Sequence, residues 1–132
     1  GRSEVEKALA RQSRIIKKEG HVFSRVHVED IIGALQASIV TPTPGEIFNL
    51  ADDLPASHED VVRYTCELLK LPPPDPEDFQ KAGMTDMLRY FYSKCARISN
   101  KKAKEILHWD LRYPSYKEGI GAICAEHAED AV

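Results

Sequence analysis

A six-stranded dinucleotide-binding domain is built from five strand-helix-strand steps of roughly 30 residues each, about 150 in all. A chain of 132 residues cannot hold such a domain together with a second, substrate-binding one. The length predicts one compact domain spanning 1–132, which buries roughly two-thirds of its unfolded surface and needs no staples to keep a core. With 18 basic against 21 acidic side chains the net charge is −3, and the pI of about 6.0 is far below that of domains whose field draws in nucleic acid. Nucleic acid is therefore not an expected partner. Cys66, Cys95 and Cys124 are odd in number and widely spaced, which fits free thiols in a reducing compartment, the cytoplasm or an organelle interior. The five histidines show no H-x-x-x-H spacing, so no metal site is expected. No apolar run is long enough to span a bilayer, and Arg2, Glu4, Glu6 and Lys7 are unlike a signal peptide, so a soluble protein without a transmembrane segment is expected.

Apolar periodicity predicts a mostly helical α/β chain of about five helices and two or three short strands. Val5, Leu9 and Ile16 recur at helical spacing between Ser3 and Lys18, which predicts a first amphipathic helix with a basic polar face, read as a solvated face. Residues 21–28 alternate like a strand, with Phe23, Arg25 and His27 on one face. Glu29 and Asp30 open a second helix through Ile31, Leu35 and Ile39, stopped by Thr41-Pro42-Thr43-Pro44-Gly45. Glu46 to Leu50 reads as a short buried strand. Ser57 has the form of an N-cap for a helix through Val61, Thr65 and Leu69, which the prolines from Pro72 to Pro76 terminate. A helix is expected over 77–92, a short extended piece at Ala96-Arg97-Ile98, a helix capped by Ser99, and a last helix starting at Pro114 with a frayed tail from Ala125 to Val132.

Several short motifs carry little weight. Tyr113 and Lys117 match the Tyr-x-x-x-Lys acid-base pair, but five tyrosines and ten lysines supply about 0.4 such matches by chance. Gly119-Ile-Gly121 lacks the third glycine of a dinucleotide loop and any strand before it. Asp52-Asp53 reads as a loop pair capping backbone amides, and Ser57-His58 has no third group to complete a triad. No self-sufficient active site follows, so no catalytic residue is assigned in this chain.

Arg25-Val-His27-Val-Glu-Asp30 entering a helix, Ile47-Phe-Asn49-Leu, the helix after Asp53, Ser99-Asn-Lys-Lys-Ala-Lys-Glu-Ile-Leu-His-Trp109 and Tyr113 to Gly119 stand in one order. That order resembles the C-terminal, substrate-binding part of extended and atypical short-chain dehydrogenases/reductases of the NAD-dependent epimerase/dehydratase type, over nearly the whole chain. Gly1-Arg2-Ser3 is similar to the loop that leaves the family's cofactor-binding half. In that family the glycine loop for NAD or NADP, the catalytic Ser/Thr and the Tyr-Lys pair all lie upstream, and none is in this sequence.

The resemblance implies a substrate-binding lobe acting on a nucleotide sugar or a small carbonyl or hydroxyl compound, inactive without a cofactor-binding half. By the same resemblance Arg25 approaches a substrate phosphate or sugar, though it also has Glu29 and Asp30 within sequence reach as ion-pair partners. His27 and Asp30 match the His-Val-x-Asp element that orders the strand-to-helix junction. Asn49 lies toward the cofactor side or bonds loop backbone, and Arg97 matches a commonly basic stretch in which Cys95 and Ala96 replace polar residues. His108 stands where the family usually has Gly. The alternative is a non-catalytic structural or interaction subunit that retains the fold. Either way the chain is expected bound to its other half or within a larger assembly, because a sheet strand such as 46–50 would otherwise be left at an open edge.

Overall fold

The computed structural model describes residues 3–130; the Gly1-Arg2 reading and the tail positions Ala131 and Val132 lie outside the described residues. Among the described residues six helices and two strands follow in the order α1 (Glu4–Leu9), β1 (Ile15–Lys17), α2 (Val28–Val40), α3 (His58–Leu68), β2 (Pro76–Asp78), α4 (Asp86–Ser93), α5 (Lys101–Leu107) and α6 (Tyr116–Asp130). The expected mostly helical α/β class is what the chain adopts.

The first helix is much shorter than its apolar spacing predicts. Ala10 closes α1 and Arg11 turns left-handed at φ 54°, after which the β-branched pair Ile15-Ile16 forms a strand instead of a further helical turn. That strand pairs in parallel with β2, Ile15 opposite Pro76 and Lys17 opposite Asp78. Arg14 clamps the pair from outside with a two-pronged bond to Glu77 at 2.9 and 2.7 Å. The basic face expected of a long helix is thus divided among a turn and a strand. Likewise the helix expected over 77–92 yields its first residues to β2 and begins only at Thr85, whose hydroxyl accepts from Leu88 N.

α3 sits at the centre, in contact with α1, β1 and α6. Its buried face carries Val61, Val62, Thr65 and Cys66. Val61 packs with Val5 and Ile120, and Val62 and Cys66 pack with Ala8 and Ile15. The alternation at 21–28 does not give a ladder. Phe23 alone pairs, antiparallel with Ala56 and parallel with Ala96, so one residue does the work expected of a strand. Residues 46–50 are not a strand either, because no described strand lies beside them; Ile47 is 80% exposed, while Phe48 and Leu50 pack on a cluster of Ala34, Leu107 and Trp109.

That last cluster is locked by Asp30, the buried acid in the first turn of α2. Its carboxylate accepts from Arg112 N at 2.6 Å and Tyr113 N at 3.1 Å, and its own carbonyl accepts from the Trp109 indole at 2.9 Å. α6 then starts at Tyr116, two residues beyond the predicted Pro114, and stays helical through Ala125 to Asp130. Cys66, Cys95 and Cys124 are free. No helix among the described residues is long and apolar enough to cross a membrane.

Two outcomes follow for stability. Asp30→Ala removes the acceptor of two part-buried amides and lowers the unfolding free energy by about 2 kcal/mol, seen as a lower urea midpoint at unchanged m in the emission of Trp109, the single tryptophan. His108 closes α5 in the left-handed region at φ 52°, where a side chain is strained, so His108→Gly raises stability by about 0.5–1 kcal/mol in the same titration.

Candidate functional site

Between α1, residues 23–28, the start of α3, α4 and the approach to α6 opens a cleft of about 940 Å³. The pairing of Phe23 with Ala56 and of Asp52 N with the Arg25 carbonyl (2.6 Å) folds segment 23–25 along segment 52–56. This brings Arg25 and Asp52 to the cleft wall together. His58 comes from the first turn of α3, Tyr92 from α4, and Tyr113 and Tyr116 from the approach to and first turn of α6. Much of the remaining wall is apolar: Phe23, Phe91, Val61, Ile120 and Ile123.

Burial sets the charge states. Arg25 donates through Nη1 to the carbonyls of Phe23 (3.0 Å) and Ala56 (2.8 Å), and makes no ion pair among the described residues. Its desolvation lowers its pKa, partly offset by the field of Asp52. Asp52 is buried, and desolvation pushes its carboxyl up to about 6 against the pull of the Leu54 amide and of Arg25. The bond from Leu54 N to Asp52 Oδ1 is 3.1 Å, the amide-capping role read for this pair; Asp53 instead accepts from Asn100 and Lys104, which lower its pKa. Burial lowers the pKa of His58 and raises those of Tyr92 and Tyr116. The cleft therefore offers a cation, a weakened acid, a neutral imidazole and phenol donors inside an apolar wall.

Of the residues singled out in the sequence, Arg25 and His27 meet at the cleft. His27 also caps α2, its Nδ1 accepting from Glu29 N at 3.2 Å, and its ring packs on Tyr113 with centroids 4.1 Å apart. Arg25 does not pair with Glu29 or Asp30. Asn49 and Arg97 are exposed and are not among the residues that line the cleft. Ser57 Oγ accepts from Asp60 N at 3.0 Å, at the head of α3. Ser99 Oγ accepts from Lys101 N at 3.4 Å, one residue before the N-cap Asn100. His58 belongs to the Ser57-His58 pair set aside for want of a third group, yet it lines the cleft, as do Tyr92 and Tyr116, which the sequence does not single out. Tyr92 and Tyr116 carry no local signal, since only the long-range return of α4 and α6 brings them to Arg25.

The chain's own glycines do not make a dinucleotide cradle. Gly119 lies inside α6, where an added Cβ would stand 3.3 Å from the His27 ring, and Gly121 lies two residues further along the same helix. Among the described residues no group of His, Cys, Asp and Glu could hold a metal.

The fold occurs in known structures. It is that of the C-terminal part of dehydratase and epimerase chains. A dTDP-glucose 4,6-dehydratase from Bacillus anthracis in complex with NAD superposes with a TM-score of 0.71 at 19% identity, over 96% of this chain and 38% of that one. RMD from Pseudomonas aeruginosa complexed with NADPH does so with 0.66 at 11% identity, over 98% and 40%. In sequence as well as fold, the chain is similar to a functionally unknown conserved protein from Silicibacter pomeroyi, with 46% identity and a TM-score of 0.84 over 87% of this chain and 42% of that one. The chain thus spans about two-fifths of the length of the structures it matches. No protein-family model and no curated protein matches it.

The raised Asp52 carboxyl gives a pH signature. An acid whose folded pKa is raised adds stability that is complete below its unfolded value, near 3.8, and lost as pH rises through about 6. Asp52→Asn stays neutral throughout, so its stability relative to wild type climbs between about pH 4 and pH 6 and is level above, as read from urea midpoints across that range.

Proposed function

We propose that this chain is the substrate-binding part of an NAD(P)-dependent epimerase, dehydratase or reductase that acts on a nucleotide sugar or a small carbonyl or hydroxyl compound. The observation that carries this is the cleft centred on Arg25, within a fold that in the NAD and NADPH complexes belongs to the C-terminal part. A guanidinium with free donors beside an apolar wall is suited to grip an oxyanion and orient the attached body. His27 supports that wall through Tyr113, and Asn49 and Arg97 are assigned to the side facing the rest of the enzyme. NAD or NADP supplies hydride chemistry when bound. It is held by a cofactor-binding portion, from the same protein or another chain, without which this lobe is inactive.

The face on which that portion docks is α2. Val28, Ile32, Leu35 and Ile39 repeat at four, three and four residues along one side of the helix and are exposed, Ile39 to 77%, with Ile47 beside them in sequence order. A stripe of this length left to water is a surface built for cover. A larger assembly that buries it without chemistry is the competing reading, favoured by the same stripe.

The test uses the native protein that contains this chain, assayed for NAD(P)H turnover with sugar nucleotides and small carbonyl compounds. Turnover is expected, and Arg25→Ala raises KM about tenfold with kcat nearly unchanged, as loss of uniform binding requires. Native protein that binds neither NAD nor NADP overturns this proposal in favour of a non-catalytic subunit.

A further inference from the structure

Three of the cleft's features bear on what it can hold. Its cations are Lys7, Arg14 and Arg25. Lys7 stands 3.7 Å from Glu4, and Arg14 is committed to Glu77 and to the Gly83 carbonyl. Arg25 alone has no carboxylate within ion-pair distance among the described residues, and its Nε and Nη2 make no hydrogen bond there. The helix N-termini nearby are no substitute. α1 carries Glu4 and Glu6 in its first turn, α2 Glu29 and Asp30, and α3 Glu59 and Asp60. A group with two or more negative charges, such as a diphosphate, would meet one uncommitted cation and the carboxylates of Glu4 and Asp52, which also line the cleft and repel it.

Most of the remaining exposed wall is aromatic and aliphatic, with Gln12, Ser24, Asp52 and His58 among its polar members. The Phe23 ring lies 5.7 Å from the Arg25 guanidinium and stacks on Phe91 at 4.5 Å and 11°. Tyr92, 5% exposed, crosses Phe23 edge-on at 5.5 Å, and its hydroxyl makes no hydrogen bond among the described residues. One uncommitted cation, the Tyr92 phenol beside it and a mostly apolar wall match a ligand with one anionic end, one further oxygen and an apolar body.

We infer that the cleft takes a small monocarboxylate on an aromatic or branched aliphatic body, its carboxylate forked onto Arg25 and its neighbouring oxygen on the Tyr92 hydroxyl. This rests on the reading above and narrows it: the small carbonyl or hydroxyl compound is an acid, and a nucleotide sugar is not the substrate. Phe91 is exposed at the cleft mouth and covers the apolar body.

The experiment is calorimetric titration of the native protein that contains this chain with phenylpyruvate, 4-methyl-2-oxopentanoate, their methyl esters and UDP-glucose, each alone, with NAD and with NADP. Each acid is expected to bind about tenfold or more tighter than its ester, and both acids tighter than UDP-glucose. Arg25→Gln closes the gap between acid and ester, and Phe91→Ala weakens both about fivefold. Arg25 also holds two backbone carbonyls, so if the Gln variant fails to fold by Trp109 emission, Arg25→Lys keeps the charge without the fork and narrows the gap about threefold. Acid and ester binding alike, a gap that survives the Arg25 variant, or UDP-glucose binding tighter than both acids overturns the inference while leaving the wider reading in place. Failure to bind any acid while NAD or NADP binds does the same. Failure to bind any nicotinamide dinucleotide overturns the wider reading instead, and acid binding then stands by itself.

Discussion

The bracket that Asp30 throws around the turn after Trp109 holds the rest of the structure in place. A carboxylate this deeply buried is tolerated only where charged oxygens meet donors, and here two backbone amides do so at 2.6 and 3.1 Å. The indole of Trp109 returns a third bond to the Asp30 carbonyl. With α2 and residues 109–113 fixed to each other, Tyr113 can lie against the His27 ring, the Pro114 carbonyl can accept from Asp53 N at 2.9 Å, and α6 leaves toward α3. The wall of the cleft on that side is therefore a consequence of one acid in the first turn of a helix. Gly119 records the same fit: its missing side chain leaves 3.3 Å to His27.

Across the cleft, electrostatics and packing oppose each other by design of the backbone. Pairing 23–25 with 52–56 forces Arg25 and Asp52 into the same low-dielectric wall. Each stabilises the charge of the other, yet burial is the larger influence on both, drawing the arginine down and the acid up. Arg25 spends one nitrogen on two carbonyls, which fixes its direction and leaves the remainder of the fork for other use. A guanidinium held in this way is pre-organised, so an incoming anion orders little.

Much of this was legible in the residues. Ser57 before an apolar periodic run announced α3, Glu29 and Asp30 announced α2, and the proline cluster from Pro72 ended what preceded it. The end of α1 was read less well, for a physical reason. Arg11, a non-glycine residue, takes the left-handed conformation just past it, so the glycine that marks a stop was absent. The strands failed differently. Ile15 and Ile16 fit a helical face and a buried strand equally, and only their partner sixty residues on, at Pro76 and Glu77, decides between them. Residues 46–50 have strand composition without a neighbour to pair with. At the site, Arg25 and His27 were found because order along the chain reveals them, whereas Tyr92 and Tyr116 depend on tertiary return and leave no local trace.

The partners of Asp30 lie 82 and 83 residues further along the chain, and this has a consequence for how the protein is made. Loop closure over such a span must precede its reward, so contacts of this kind come late in folding. On the ribosome α2 is complete long before Arg112 and Tyr113 emerge, and through that interval its buried acid has only water to bond. The contacts among α1, β1, α3 and β2 lie within residues 4–78 and need no part of that turn, whereas α2 gains its bracket only when the last third of the chain closes around Asp30.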